Sequence, residues 1–292
     1  EIIVTIGASQ AIDIAFRTIL KEGDEVILPG PVYPGYEPLI KLAGAVPVYA
    51  DTTGTSFKMT KDVIAPLLTE KTKCVVLPYP SNPTGVSLTK EELTEIADLL
   101  RGRNTFVLAD EIYSELTLDR KHISIGTILR EQTIIINGVS KSHAMTGWRI
   151  GFLMAPESIA KHMLKVHQYN VSCASSISQM AALEAMKNGK NDAVMMKEEY
   201  RNRRDYVYGR LEKMGLRTVM PDGAFYFFVE IPDGFSTSLD FALELVRKKK
   251  VAVVPGSAFS EYGEGYFRFS YAVSMESLII GLDRLELFLE GK

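Results

Sequence analysis

The chain predicts an α/β fold with a mainly parallel sheet, followed by a smaller C-terminal α+β domain. Three observations carry this. Over the first two-thirds, short apolar runs alternate with amphipathic stretches of helical period, the pattern of strands joined by helices. A long helical stretch then spans 191–214. Beyond it the order changes to strands flanking a helix.

The elements follow in order. Candidate strands lie at 2–6, 25–28, 46–49, 73–77, 105–109, 133–136 and 150–154, with helical stretches such as 9–21 and 89–102 between them. The second of these places Thr89 at the N-cap, Glu91 and Glu92 in the first turn and Gly102 past the end. The stretch 191–214 closes at Gly215. After it come strands at 224–231, 251–254 and 266–271, a helix at 238–249 and a last helix at 275–289. A large domain over 1–190 and a small domain over 191–292, entered by the long helix, are therefore expected.

Composition excludes several classes. With 292 residues, 46% hydrophobic and 24% charged, the chain is long enough for two domains or one large one. A net charge of −3 argues against a dominant basic face for nucleic acid. Cys74 and Cys173 form no disulfide framework and lack metal-ligand spacing, which favours a reducing, cytoplasmic setting. No apolar run of about 18 residues predicts a membrane span. The four histidines lack the H-E-x-x-H spacing of a metal site. Arg201, Arg203 and Arg204, and the run Lys248 to Lys250, read as solvated helix faces. Glu1 leads at once into the apolar run Ile2–Ile6, so a trimmed chain is expected.

Several apolar runs end in polar or glycine-rich clusters. Residues 74–77 lead to Pro80-Ser81-Asn82-Pro83-Thr84-Gly85, 106–109 to Asp110-Glu111-Ile112-Tyr113, and 133–136 to Asn137-Gly138-Val139-Ser140-Lys141. Ligands of open parallel sheets bind outside the carboxyl ends of strands, so Asn82, Asp110, Tyr113 and Lys141 are expected around one crevice. Taken singly, each has a plainer reading. Asp110 suits a helix N-cap as well as a carboxylate held in a dry site for a cation. Asn82-Pro83 suits a turn, with an X-Pro bond open to the cis form. Gly7-Ala8-Ser9, between a strand and a helix, suits either a phosphate site or capping by Ser9. Lys141 sits among small and hydroxyl residues, as a Schiff-base lysine does, although most lysines are solvated.

The segment Gly138-Val139-Ser140-Lys141-Ser142-His143-Ala144-Met145-Thr146-Gly147-Trp148-Arg149-Ile150-Gly151 resembles the lysine signature of class I aminotransferases, pyridoxal 5'-phosphate enzymes of fold type I. The resemblance extends along the chain, in order, through GASQA, PVYPGY, SNPTG, ADEIY, PDGAFYFF and FRFSYA. The run around Lys141 looks most like bacterial aromatic and N-acetyl-diaminopimelate aminotransferases. It implies transamination of an L-amino acid, aromatic favoured, with a 2-oxo acid such as 2-oxoglutarate.

Residue by residue, the resemblance implies that Lys141 holds the cofactor aldehyde as an aldimine and later moves the substrate proton. Asp110 would pair with the pyridine nitrogen, Asn82 and Tyr113 with the phenolic oxygen, and Tyr33 would stack on the ring. Ala8, Ser9 and Arg149 would hold the phosphate, and Arg268 with Asn82 the substrate. Some members carry Ser where Gly138 stands, so one hydroxyl fewer is expected there. Members are usually homodimers and begin with a further N-terminal segment. A chain starting at this strand is expected to keep the cofactor pocket while turning over weakly or not at all. Two alternatives share parts of the pattern: a carbon–sulfur β-lyase using the same cofactor, and an aminotransferase-like sensor domain of a regulator.

Overall fold

The computed structural model describes residues 1–291. In chain order its elements are β1 (Ile2–Ile6), α1 (Gly7–Ile19), β2 (Glu25–Gly30), α2 (Tyr36–Leu42), β3 (Val46–Asp51), α3 (Lys61–Ile64), β4 (Thr72–Leu77), α4 (Lys90–Leu100) and β5 (Phe106–Asp110). They continue with β6 (Thr133–Gly138), α5 (Val139–Ser142), β7 (Ile150–Met154), α6 (Glu157–Val171), α7 (Ser176–Asn188) and α8 (Asp192–Lys213). The last are β8 (Tyr226–Glu230), α9 (Ser238–Lys249), β9 (Val254–Pro255), β10 (Tyr266–Ser270) and α10 (Met275–Glu290).

Seven strands form one sheet in the order β1-β7-β6-β5-β4-β2-β3. Only β7 runs against its neighbours, pairing antiparallel with β1 and with β6. Both faces of the sheet are covered, which is why its strands read as continuous apolar runs. Because side chains alternate along a strand, Cys74, Val76 and Leu108 join one core with Ile14 and Phe16 of α1 and Ile40 of α2. Val75, Leu77, Val107 and Ala109 join the other with Leu93, Ile96 and Leu100 of α4. By the same alternation Asp110 turns to the α1/α2 face and Glu111 to the α4 face.

The α4 start is a full capping box: Glu92 N donates to Thr89 Oγ1 at 3.2 Å and Thr89 N to Glu92 Oε2 at 2.7 Å. A second sheet, antiparallel in the order β8-β10-β9, packs Phe227, Phe267 and Phe269 on α8, α9 and α10. From its other face Phe228 enters the large-sheet core, with its ring 5.4 Å from that of Phe57.

Three expectations are corrected. Helix α1 starts at Gly7 with Ile6 at the N-cap and no side-chain cap, so Ser9 sits inside the first turn and caps nothing. Asp110 ends β5 and is followed by a turn and one 3-10 turn at Ser114–Leu116, so it is not a helix N-cap. Arg204 is not solvated. It is buried and donates to Asp119, to Asp205 Oδ1 at 2.8 Å and to the Pro221 carbonyl at 3.2 Å, tying α8 to the chain on both sides. Replacing Arg204 by Met leaves that carbonyl without its donor and Asp119 with only the longer Arg201 contact, at 3.5 Å. Urea unfolding is expected to show a loss of about 1–3 kcal/mol, the range for leaving a buried polar group without its partner.

Candidate active site

One edge of the large sheet gathers the chemistry. The C-terminal ends of β1, β2, β4, β5 and β6 lead into Gly7-Ala8-Ser9, Tyr33, Asn82, Asp110 and Lys141. Because β7 is reversed, its N-terminal neighbour Arg149 comes to the same edge. The small sheet contributes Tyr226 from β8 and Arg268 from β10. Ala8, Ser9, Tyr33, Asn82, Asp110, Tyr113, Lys141, Arg149 and Arg268 all line one cavity of about 410 Å³.

At the floor, Gly7 adopts φ +72°, and a Cβ there would lie 2.2 Å from Arg149 Nη2. Only glycine lets the backbone take this turn with a guanidinium against it. Arg149 is itself left-handed at φ 55° and anchors its Nη1 on the Thr146 carbonyl at 2.8 Å. The first turn of α1, thirteen residues long, carries no acidic side chain. Free amides, a helix dipole and an arginine thus point at one spot, as an anion requires. Buried Ser140 also lines the cavity, and its hydroxyl has no hydrogen-bond partner among the described residues.

Lys141, in the short helix α5, is partly buried and makes no hydrogen bond or ion pair among the described residues. Its Nζ lies 5.5 Å from the Tyr113 ring centre and 5.7 Å from that of Phe225. Burial holds its pKa below that of a free lysine, Arg268 and Arg149 push the same way, and Asp110 opposes them. Asp110 is 8% exposed. Its Oδ2 accepts from the Tyr36 hydroxyl at 2.7 Å and its Oδ1 from Ile112 N at 3.2 Å. Burial raises its pKa, and the two hydrogen bonds and Lys141 counter that rise. Among the described residues this carboxylate has no ion-pair partner.

The upper wall joins the two sheets. Arg268 Nη1 donates to Asn82 Oδ1 at 2.7 Å, and its guanidinium stacks 4.3 Å from the Tyr226 ring centre. The Tyr113 and Tyr226 hydroxyls are 3.0 Å apart. Burial, then Tyr226, raise the Tyr113 pKa, so its phenol stays protonated at neutral pH. The Asn82-Pro83 bond is cis.

The sequence reading missed Tyr36, Ser140 and Tyr226. Each stands in a quoted motif, but nothing in the linear pattern marks which tyrosine of PVYPGY or which aromatic of GAFYFF turns inward. Among the described residues no cluster of His, Cys, Asp and Glu could hold a metal, and no helix is long and apolar enough to cross a membrane.

The lining sets three cations, Lys141, Arg149 and Arg268, against one carboxylate. Such a cavity suits a phosphate and a substrate carboxylate, while buried Asp110, lacking a cation, suits a protonated ring nitrogen. Pyridoxal phosphate has those groups, and a lysine able to be neutral opposite them meets its aldehyde. The fold and site define a pyridoxal-phosphate enzyme of fold type I.

The family model "Aminotransferase class I and II" matches residues 1–285. The chain belongs to this family and is a pyridoxal-phosphate-dependent aminotransferase. It is 67% identical over 292 residues to the "Probable N-acetyl-LL-diaminopimelate aminotransferase" of Bacillus subtilis (strain 168), covering 100% of this chain and 74% of the relative. An aspartate aminotransferase of Pyrococcus abyssi (strain GE5 / Orsay) is 42% identical over 298 residues, covering 100% of this chain and 77% of that protein. The crystal structure of an aromatic aminotransferase from Pyrococcus horikoshii OT3 superposes with a TM-score of 0.96 at 41% identity, over 100% of this chain and 80% of that one.

Two outcomes follow from this geometry. A Cβ on Gly151 would lie 2.4 Å from Gly7 C and 2.6 Å from Ala8 N, so Gly151→Ala displaces the loop that carries the anion-binding amides. Titration by fluorescence quenching is expected to show pyridoxal phosphate bound about tenfold or more weakly, roughly the loss of one charge-assisted contact. The second concerns pH. A lysine of lowered pKa becomes neutral, and able to attack an aldehyde, as pH rises through that pKa. The rate at which the chain captures pyridoxal phosphate, followed by visible absorbance, should therefore climb with a midpoint below that of a free lysine. Replacing Arg268 by Leu removes a cation that favours the neutral amine and should move the midpoint upward.

Proposed function

We propose that the chain exchanges the amino group of N-acetyl-LL-diaminopimelate with 2-oxoglutarate. The observation that carries transamination is the placement of Lys141, an amine free of ion pairs, between buried Asp110 and Arg268 in one cavity. The donor is supported by the 67% identity to the Bacillus subtilis protein of that name.

In this reading the amides of Ala8 and Ser9, the Arg149 guanidinium and the Ser140 hydroxyl bind the phosphate. Asp110 holds the ring nitrogen protonated, Tyr33 covers a ring face, and Asn82 and Tyr113 orient the phenolic oxygen. When bound, pyridoxal phosphate supplies an aldehyde for an amine and a ring that withdraws electrons from the substrate Cα. Arg268 forks onto the substrate α-carboxylate, with Asn82 fixing the guanidinium, and so aims the Cα–H bond. Lys141 Nζ would take the proton from Cα and deliver it to the cofactor carbon that carried the aldehyde, work that needs an amine neutral part of the time near pH 7. Residues 1–190 would form the cofactor domain and 191–292 the small domain, in a cytoplasmic homodimer. Exposed Ile177, Met180 and Met186 on α7 offer apolar surface for a second copy.

A second reading, an aromatic amino donor, is supported by the tyrosines that line the cavity (Tyr33, Tyr36, Tyr113 and Tyr226) and by the likeness to the Pyrococcus horikoshii aromatic aminotransferase.

Incubation of the loaded chain with each donor and 2-oxoglutarate, with glutamate as the readout, decides between them. The expected result is a kcat/KM at least tenfold higher for N-acetyl-LL-diaminopimelate than for tyrosine or phenylalanine; the reverse order selects the aromatic reading. Lys141→Ala should lower kcat by about 10³-fold or more with either donor, since it removes both the covalent anchor and the proton carrier. Pyruvate and ammonia released from a β-substituted donor, with no glutamate, would replace transamination by β-lyase chemistry.

A further inference from the structure

Tyr36 is 1% exposed, and its hydroxyl is the feature that its burial leaves to be explained. A phenylalanine would fill the same space in the core formed by α1, α2 and the large sheet. A buried phenol needs a partner, and among the described residues the only one Tyr36 has is Asp110 Oδ2, 2.7 Å away. The contact links the start of α2 to the end of β5, 74 residues apart in sequence.

We infer that Tyr36 is a positioning residue for the reaction: its hydroxyl fixes the rotamer of Asp110 and keeps that carboxylate ionised in a dry site, ready for the ring nitrogen of the cofactor. This rests on the role proposed above for Asp110. Each carboxylate oxygen has two acceptor sites. Tyr36 takes one on Oδ2 and Ile112 N one on Oδ1, which immobilises the group and leaves acceptor capacity for the cavity. The Tyr36 ring also meets Tyr33 edge to face, with centres 5.6 Å apart and planes at 89°. One side chain thereby braces both the acid behind the ring site and the aromatic over it.

The groups facing Asp110 define what its titration can answer to. Tyr36 from α2 and Lys141 from α5 lower its pKa, and Glu111, the first residue after β5, raises it. Tyr113 lies beyond β5, and Arg149 and Arg268 are the other cations of the cavity. Tyr36 itself faces Asp110, Tyr33 and Tyr113, and burial followed by Asp110 raises its pKa, so it remains a donor at any working pH. A donor to the charged form lowers a carboxyl pKa, so its removal raises it. The ionised carboxylate is the form that holds a protonated ring nitrogen. Cofactor retention therefore falls as pH drops through the Asp110 pKa, and without the Tyr36 hydroxyl it falls at higher pH.

The test is the pH midpoint of cofactor retention, read from the visible absorbance of the loaded chain after dialysis, for wild type, Tyr36→Phe, Asp110→Asn and the double variant. For Tyr36→Phe the acid midpoint should rise by about one pH unit, the order expected for one hydrogen bond to a charged group. Asp110→Asn should abolish that acid limb, and adding Tyr36→Phe to it should change nothing further, because the two act through one contact. A Tyr36→Phe midpoint equal to wild type, while Asp110→Asn removes the limb, overturns the inference and leaves the role of Asp110 standing. A limb untouched by Asp110→Asn overturns both. Circular dichroism checks that each variant is folded. Should Tyr36→Phe not fold, 3-fluorotyrosine encoded at position 36 keeps the ring and strengthens the donor. The midpoint must then fall, and an unmoved midpoint overturns the inference.

Discussion

The site turns on one electrostatic constraint: a carboxylate buried at the end of β5 with no ion-pair partner among the described residues. Taking Asp110 out of water is costly, and its two hydrogen bonds recover part of that cost without neutralising the charge. Across the cavity stands the opposite case, the amine of Lys141, pushed toward neutrality by burial and by two arginines. Each group is poorly satisfied alone, and a ligand carrying a protonated nitrogen and an aldehyde satisfies both. Under the roles proposed for them, cofactor affinity and catalytic readiness would come from the same two residues.

Topology makes that pairing possible. Parallel strands send their polar ends to one edge, which places Asp110, Asn82 and Lys141 together although they are distant in sequence. The single reversed strand, β7, matters as much. It brings Arg149 to that edge from the opposite chain direction and seats Gly151 against Gly7, so the guanidinium and the start of α1 meet at one anion site. A parallel β7 would have delivered Arg149 to the far edge. The small sheet closes the cavity through two polar contacts, Arg268 to Asn82 and Tyr226 to Tyr113, while Phe228 anchors it in the apolar core below.

Much of this was legible because the strands are buried on both faces and so read as unbroken apolar runs. The ends of β4, β5 and β6 could be placed closely for that reason, and so could α4 from Thr89 and Glu92. Helices α6 and α7 were not singled out. Much of the apolar surface of α7 is exposed, including Ile177 and Met180, so it lacks the one-sided pattern that marks a helix on a core. Arg204 misled because its neighbours Arg201 and Arg203 suggested a solvated face, whereas its partner Asp119 lies 85 residues away and leaves no local trace. Within the site, Lys141, Asp110 and Arg268 came from motifs. Tyr36 and Tyr226 depend on which way a ring turns, which is settled only when α2 meets β5 and the two sheets meet.

The division of labour among the three cations then has a physical reason. Arg149 donates to the Thr146 carbonyl and lies against Gly7, contacts that orient it without an anion. Arg268 is held by a neutral amide and by the faces of Tyr226 and Phe259, contacts that orient a guanidinium without neutralising it. A carboxylate in place of Asn82 would have claimed that charge in advance. Lys141 has no polar anchor among the described residues and rests on two aromatic rings. The role proposed for Lys141 asks for such a loosely held amine, able to form a bond, leave it and reach the substrate Cα from one backbone position. In the proposed reaction, anchored guanidiniums would serve the groups that stay and the unanchored amine the proton that moves.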